Sequence, residues 1–179
     1  MRIKIALLLP FFALALVLTG LAQSKIGYTN IELVMAYMPE SKSIEQQLGT
    51  YQKKLAEKLK VKDDYVKQKY QEYLEKKERG TMSPDEQKRL ETELLQLDEE
   101  VQKMAADSEY DLMAKRQELL EPVLKKLQDA IDSVAETGGY SYILNQTTSA
   151  GVSTILHGPE DADVTEAIFA KLGMKMPEE

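Results

Sequence analysis

The chain has 179 residues, with 30 Asp and Glu against 23 Lys and Arg, a formal charge of −7, one histidine, and neither Cys nor Trp. Without cysteine there is no disulfide and no thiolate metal site, and a lone imidazole, His157, excludes zinc sites built on several histidines. The negative charge argues against nucleic acid as a partner, and a chain that is 30% charged with only 3 Phe suits long solvated helices better than a thick core.

Residues 1–22 read as a cleaved secretory signal. Arg2 and Lys4 form a basic start, an apolar run over 5–18 is broken only by Pro10, and Gly20-Leu21-Ala22 offers small residues before a cut at Gln23. About 14 apolar residues are too few to span hydrocarbon that needs roughly 20, and no cysteine follows that could carry lipid. The expected product is exported. Loss of Arg2 and Lys4 leaves 21 basic against 30 acidic residues, a charge of −9.

Residues 41–137 predict a helical hairpin. Ile44, Leu48, Tyr51, Leu55, Leu59, Val66, Tyr70 and Tyr73 recur with a mean step near 3.6, the spacing of one helical face. A second series runs Leu90, Leu94, Leu97, Val101, Met104, Leu112, Leu119, Val123, Leu127, Ile131, Val134. Between them Gly80 fits a left-handed helix end. Ser83 fits an N-cap with Pro84 in the first helical position and Glu86 completing a capping box. A turn this short sends the second helix back antiparallel, with the tip at 80–83. The expected arms are 41–79 and 83–121, each about 58 Å long at roughly 1.5 Å per residue. The second should stop or kink at Pro122, which cannot donate the helical hydrogen bond. Segment 41–79 carries 11 Lys and Arg against 7 Asp and Glu, and 83–137 carries 7 against 15. Opposite net charge favours pairing of these two helices over self-association of like ones.

Residues 23–40 and 138–179 predict a small body. Ile26-Gly27-Tyr28 and Tyr140-Ser141-Tyr142-Ile143-Leu144 alternate as strands do, and Val152–Leu156 is β-rich, with a polar loop over 145–151 suggesting a hairpin. Asp163 is placed to cap a last helix running through Ile168 and Phe169 to Leu172, before Gly173. Three short strands with open edges and one helix make a marginal core. The expected remedy is strand pairing between copies of the chain, through Ile26, Tyr28, Tyr142, Leu144 and Ile155. The fold class is therefore α+β and mostly helical: a long antiparallel hairpin on a small β-body that oligomerises.

Behind its signal peptide, which is part of the likeness, the chain resembles the Skp (OmpH-like) periplasmic chaperones over the whole mature length. The resemblance rests on Lys25-Ile26-Gly27-Tyr28-x-Asn30, Met38-Pro39-Glu40, and the run from Pro122 through Lys126, Ala130-Ile131, Val134-Ala135 and Gly139-Tyr140 to Tyr142-Ile143-Leu144. The tail pattern Asp163-Val164-Thr165, Ile168, Leu172 also fits. The resemblance implies a homotrimer in the periplasm whose helical tentacles enclose a cavity for unfolded outer-membrane proteins, with no cofactor and no enzymatic activity. Basic members interact with lipopolysaccharide and negative membranes; the acidic charge here argues against carrying that property over.

Asp63-Asp64, Glu91 with Glu93, and Asp98-Glu99-Glu100 read as solvated helix faces, since no His, Cys or glycine-rich loop joins them, and His157 beside Gly158-Pro159 reads as a turn residue. The Asn145-Gln146-Thr147 sequon reads as chance. No nucleophile or phosphate-loop motif is present, so neither a catalytic nor a metal site is expected. Tyr65, Tyr70, Tyr73, Met82 and Tyr110 are the candidate client contacts, because Tyr and Met on partly exposed faces give adaptable apolar contact. The alternative is a trimeric coiled-coil spacer or adaptor that holds a folded envelope partner.

Overall fold

The computed structural model describes residues 24–148 and 150–177, so the secretion signal expected over 1–22 lies outside the described residues. Strand β1 is Ile26–Thr29, helix α1 Ile31–Tyr37, α2 Pro39–Glu78, α3 Pro84–Gly138, strand β2 Tyr142–Asn145 and helix α4 Thr165–Lys171. A 3-10 turn occupies Glu160–Ala162. The chain divides into two compact units, Met38–Lys125 and the remainder, so the last turns of α3 group with the strands.

Met38–Lys125 is an antiparallel hairpin. Gly80 has φ 63°, the left-handed value that ends a helix with little strain only at glycine. Ser83 Oγ then accepts the Glu86 N–H at 3.2 Å, and Ser83 O accepts the Gln87 N–H at 3.0 Å, which starts α3. Glu86 lies 3.6 Å from Lys76 and ties the two helix ends together. The cross-helix contacts of Lys76 with Glu86, Tyr73 with Glu91 and Lys62 with Glu100 are each centred on Thr81 or Met82. That constant centre is the register of an antiparallel pair. The seam is narrow. Ile44, Val66 and Tyr73 are the buried residues of α2, and Leu97 and Val123 face the same seam from α3.

Helix α3 does not stop at Pro122; it continues to Gly138. Proline removes one N–H bond and strains the preceding turn, at a cost of about 3 kcal/mol. The helix is held on the far side by burial: Val123, Leu127 and Ala130 are 4%, 3% and 5% exposed. All three follow the proline and are spaced three or four apart, so the turns beyond it bury one apolar face.

In the other unit β1 and β2 pair in parallel, with Ile26 opposite Tyr142, Gly27 opposite Ile143, Tyr28 opposite Leu144 and Thr29 opposite Asn145. Parallel strands need a long crossover, and the whole helical hairpin serves as that connection. Lys25 O and Thr29 O extend the ladder by accepting the N–H groups of Ser141 and Gln146, both at 2.7 Å. A Cβ on Gly27 would meet the Tyr140 ring at 3.0 Å, so that ring lies directly over the strand backbone. Asn30 Oδ1 accepts the Leu33 N–H at 2.9 Å and caps α1. Asp163 Oδ1 accepts the Thr165 N–H at 2.8 Å at the start of α4. The Thr165 hydroxyl accepts the Asn30 N–H at 3.1 Å and lies 3.2 Å from the Thr29 hydroxyl, which joins β1 to α4. Val34, Thr29, Ile168 and Phe169 are almost fully enclosed, and the Tyr37 ring lies against Phe169 at a centroid distance of 6.0 Å.

The third expected strand, 152–156, does not form. Thr147 and Ser153 make a single antiparallel bridge, Thr148 O accepts the Gly151 N–H at 2.8 Å, and the Thr148 N–H donates to Val152 O at 2.8 Å. The chain therefore reverses but does not run on as a ladder. Val152 and Leu156 are 63% and 91% exposed, so this segment has no apolar face to bury and nothing to lengthen the pairing.

The small core makes a sharp expectation. Phe169→Ala should destabilise the strand-bearing unit by about 3–5 kcal/mol, the usual effect of removing a buried aromatic side chain. Urea unfolding followed by near-ultraviolet signals would check it, and a change below about 1 kcal/mol would show that Phe169 is not central to this core.

Candidate functional site

Exposed apolar side chains occur in both units. On the hairpin, Tyr65, Tyr70 and Tyr110 are 44%, 50% and 69% exposed, and Met82 at the tip is half-buried. The Tyr65 ring has the ammonium groups of Lys62 and Lys69 each 5.7 Å from its centre, within range of a weak cation–π attraction.

Tyr73 behaves differently from the other four. It is 7% exposed, and its hydroxyl donates to Glu91 Oε1 at 2.6 Å across the seam. Lys77 donates to the same hydroxyl at 3.1 Å, and Gln87 donates to Glu91 at 2.8 Å. The Tyr73 bond, then the Gln87 bond, holds the Glu91 carboxyl below its ordinary range. The Tyr73 oxygen likewise raises Lys77 above its ordinary value. Tyr73 is thus a latch between α2 and α3, with its ring 6.5 Å from that of Tyr70.

Beside this latch the hairpin holds an apolar groove of about 540 Å³. Val66, Tyr70, Leu94 and Leu95 supply its apolar lining, and Asp63, Lys67, Glu91 and Asp98 its charges. Leu95, 66% exposed, escaped the sequence reading, as did Val61 and Met113. The signal was available in the spacing. Leu95, Met113 and Leu124 are separated by 18 and 11 residues, close to whole numbers of 3.6-residue turns, so they share one line along α3 outside the Leu94–Leu97–Val101 seam.

In the strand-bearing unit they include one face of the two-stranded sheet. Register partners in a parallel pair face the same way, so Ile26, Tyr28, Tyr142 and Leu144 lie on one face. Ile26, Tyr142 and Leu144 are 51%, 62% and 47% exposed, whereas Gly27 and Thr29 are buried on the opposite face. Tyr28 is half-covered, and its hydroxyl donates to Pro159 O at 3.1 Å. Ile155 is half-buried and sits beyond the strands, its N–H donating to Gln146 O. Asn145 of the sequon is fully engaged: its oxygen accepts the Ile31 N–H, and its amide donates to Glu32 and to Thr147 O.

Among the described residues no group of His, Asp and Glu is arranged to hold a metal ion. What the geometry offers is surface: a groove and stripe on charged helices, and an uncovered sheet face.

Comparison with known proteins agrees with that reading. The family model described as outer membrane protein (OmpH-like) matches residues 25–172. The chain belongs to the OmpH-like family. Similar proteins include the chaperone protein Skp of Yersinia enterocolitica, 27% identical over 127 residues, 71% of this chain and 76% of that one. The chaperone protein Skp of Photorhabdus laumondii is 28% identical over 138 residues, 77% of this chain and 82% of its own. The crystal structure of an OmpH-like outer membrane chaperone from Caulobacter crescentus shares the fold. Its TM-score is 0.66 at 16% identity, covering 89% of this chain and 95% of that one. OmpH-like proteins of this kind are chaperones and not enzymes.

The latch gives this OmpH-like hairpin an acid-sensitive contact. Because the folded Glu91 pKa is depressed, its contribution is fully present above the unfolded value and is lost as pH falls through the folded one. Tyr73→Phe should therefore lower hairpin stability at pH 7, and the gap to the parent should narrow as pH falls below about 4.3, the ordinary Glu value. Urea midpoints measured across pH 2.5–7 would read this; a gap independent of pH would mean that Glu91 is not the group the hydroxyl stabilises.

Proposed function

We propose that this OmpH-like protein is an ATP-independent holdase of the periplasm that binds unfolded outer-membrane proteins. In this reading residues 1–22 direct export and are removed, three copies assemble through the sheet faces, and clients are held in a cavity between the three hairpins. The observation that carries it is the exposure of Tyr65, Tyr70, Leu95, Tyr110 and Met113, all at least 44%, on helices otherwise covered with charge. A folded adaptor would keep such side chains against a fixed partner. A holdase uses them as scattered, adaptable anchors for exposed apolar segments that would otherwise aggregate. Release follows when the client folds into a membrane and withdraws those segments, so no nucleotide is required. The acidic chain has no general attraction for lipopolysaccharide or anionic lipid, and no described helix is long and apolar enough to cross a membrane.

Trimerisation follows in this reading from the uncovered face of Ile26, Tyr28, Tyr142 and Leu144, three of whose members are about half exposed. Sedimentation equilibrium at micromolar concentration should give a trimer, and Leu144→Asp should shift it to monomer by placing an unpaired charge in the interface. A parent chain that stays monomeric overturns both the trimer and the cavity.

Client affinity should rest on apolar contact more than on charge, since apolar burial survives salt whereas exposed charges are screened beyond about 8 Å at physiological strength. Replacing Tyr65, Tyr70, Met82 and Tyr110 together by Ser or Gln should raise the Kd for a urea-unfolded outer-membrane β-barrel protein at least about tenfold, roughly 1.4 kcal/mol. The trimer should persist, because none of these residues lies in the strands. Binding that collapses with moderate salt but tolerates the replacements would assign capture to the lysines of α2. Tight binding of folded envelope proteins with indifference to unfolded ones would favour the adaptor.

A further inference from the structure

We propose that the groove lined by Val66, Tyr70, Leu94 and Leu95 is a discrete docking site for an extended stretch of unfolded polypeptide in which an apolar or aromatic residue is flanked by Lys or Arg. The proposal rests on the holdase reading and names the segment class that this surface selects. Three observations on the hairpin carry it.

The first is size. About 540 Å³ falls within the range of about 300–1,000 Å³ typical of pockets that enclose a small ligand. It accommodates a short stretch of chain, not a folded surface. Tyr70 and Leu95, 50% and 66% exposed, are solvent-accessible apolar groups of its lining, so an entering side chain meets apolar surface without displacing the core residue Val66.

The second is charge. The lining holds three carboxylates, Asp63, Glu91 and Asp98, against one ammonium, Lys67. Asp63 is already paired with Lys67 at 2.5 Å. Glu91 is kept ionised by Tyr73 and Gln87, with Lys77 exerting a smaller attraction, and Asp98 has no ion pair among the described residues. Glu91 and Asp98 are two turns apart on α3, about 10.5 Å along the axis at 1.5 Å per residue. An extended segment rises about 3.3 Å per residue, so roughly three residues cover that distance. A cationic side chain beside the apolar anchor therefore reaches one carboxylate or the other.

The third observation separates an unfolded client from a second copy of this chain. The basic helix of another copy is the obvious cationic rival. Of its ten lysines, Lys60, Lys62, Lys67, Lys69 and Lys76 are in ion pairs within their own hairpin and Lys77 is bonded to the Tyr73 hydroxyl, so most of its cations are already engaged. An unfolded chain brings unpaired cations instead.

The test uses the full mature chain and three fluorescein-labelled ten-residue peptides that share one pattern of Leu and Phe alternating with Lys, Glu or Gln. Anisotropy titration at low and moderate salt should show the Lys peptide binding at least tenfold more tightly than the Glu peptide, with the Gln peptide between. Leu95→Ser should weaken all three. Asp98→Lys, at an exposed position outside the seam, should cut the Lys-over-Glu ratio at least fivefold and leave the Gln peptide within about twofold. Equal affinities for the three peptides, or a ratio untouched by Asp98→Lys, overturn the proposal. Light scattering in which Asp98→Lys alters assembly mass while leaving peptide affinity unchanged assigns the groove to a second copy, and also overturns it. Suppression of aggregation of a urea-unfolded β-barrel protein, run alongside, keeps the two readings apart. Its loss in the parent chain defeats the holdase, whereas its presence without peptide preference defeats the groove alone.

Discussion

A two-helix hairpin has one contact face per helix, and that limit governs the rest of this molecule. Over the 40 residues of α2, only Ile44, Val66 and Tyr73 are buried. So thin a seam cannot hold register by apolar area alone, because sliding one helix along the other costs little when few side chains interlock. Polar contacts placed along its length supply the missing specificity. Tyr73 with Glu91, Lys62 with Glu100 and Lys76 with Glu86 all agree on one turn, and the Ser83 cap and left-handed Gly80 fix where that turn falls. Exposed ion pairs contribute only about 0–1 kcal/mol each. Their value here is in excluding other registers.

The same limit explains why so much apolar surface is left outside. A helix that buries one face must put its remaining residues into water, and most of those on α2 and α3 are charged. Leu95, Met113 and Leu124 are not, although each could carry a charge without disturbing the seam. The sheet repeats the arrangement on a smaller scale: Gly27 and Thr29 point into the core while Ile26, Tyr142 and Leu144 stay uncovered. A contiguous set of such groups, as on the sheet, marks a contact surface, whereas single exposed residues along a helix do not by themselves.

The helices were legible because a 3.6-residue recurrence survives for dozens of residues and averages out its exceptions. Gly80 and Ser83 were legible because turn and cap chemistry is local. Individual side chains were harder. Tyr70 and Tyr73 sit three apart in the same apolar series, yet one is half exposed and the other is 7% exposed with a bonded hydroxyl. Periodicity gives the mean direction of a face; which member of it meets the partner helix depends on the rotation of both helices. Pro122 shows the same contest between local and distant terms. Its local preference is to end a helix, and that preference is outweighed by Val123, Leu127 and Ala130 finding partners that a single strip of sequence does not display. The segment 152–156 failed in the other direction. Its β-branched residues suit a strand, but strand preference reflects packing on a pleated surface, and Val152 and Leu156 have no such surface within this chain.

The two uncovered surfaces ask for different physics, and the sequence separates them accordingly. The sheet face is built from Ile, Tyr and Leu with no charged side chain among its four members, which suits a permanent dry contact between identical copies. The groove on the hairpin mixes Tyr70 and Leu95 with Glu91 and Asp98, which suits brief contact with many different segments. If both surfaces were equally dry and apolar, each would compete for the other and the chains would aggregate through their own binding sites. Charge around the groove would oppose this: a second copy's sheet face carries no cation for Asp98, so burying it there would leave a carboxylate unpaired at several kcal/mol. An unfolded segment with its own Lys or Arg meets no such penalty. In the proposed reading the acidic groove discriminates against self-association by the same carboxylates that select a cationic client, and the affinity itself comes from the apolar side chains between them.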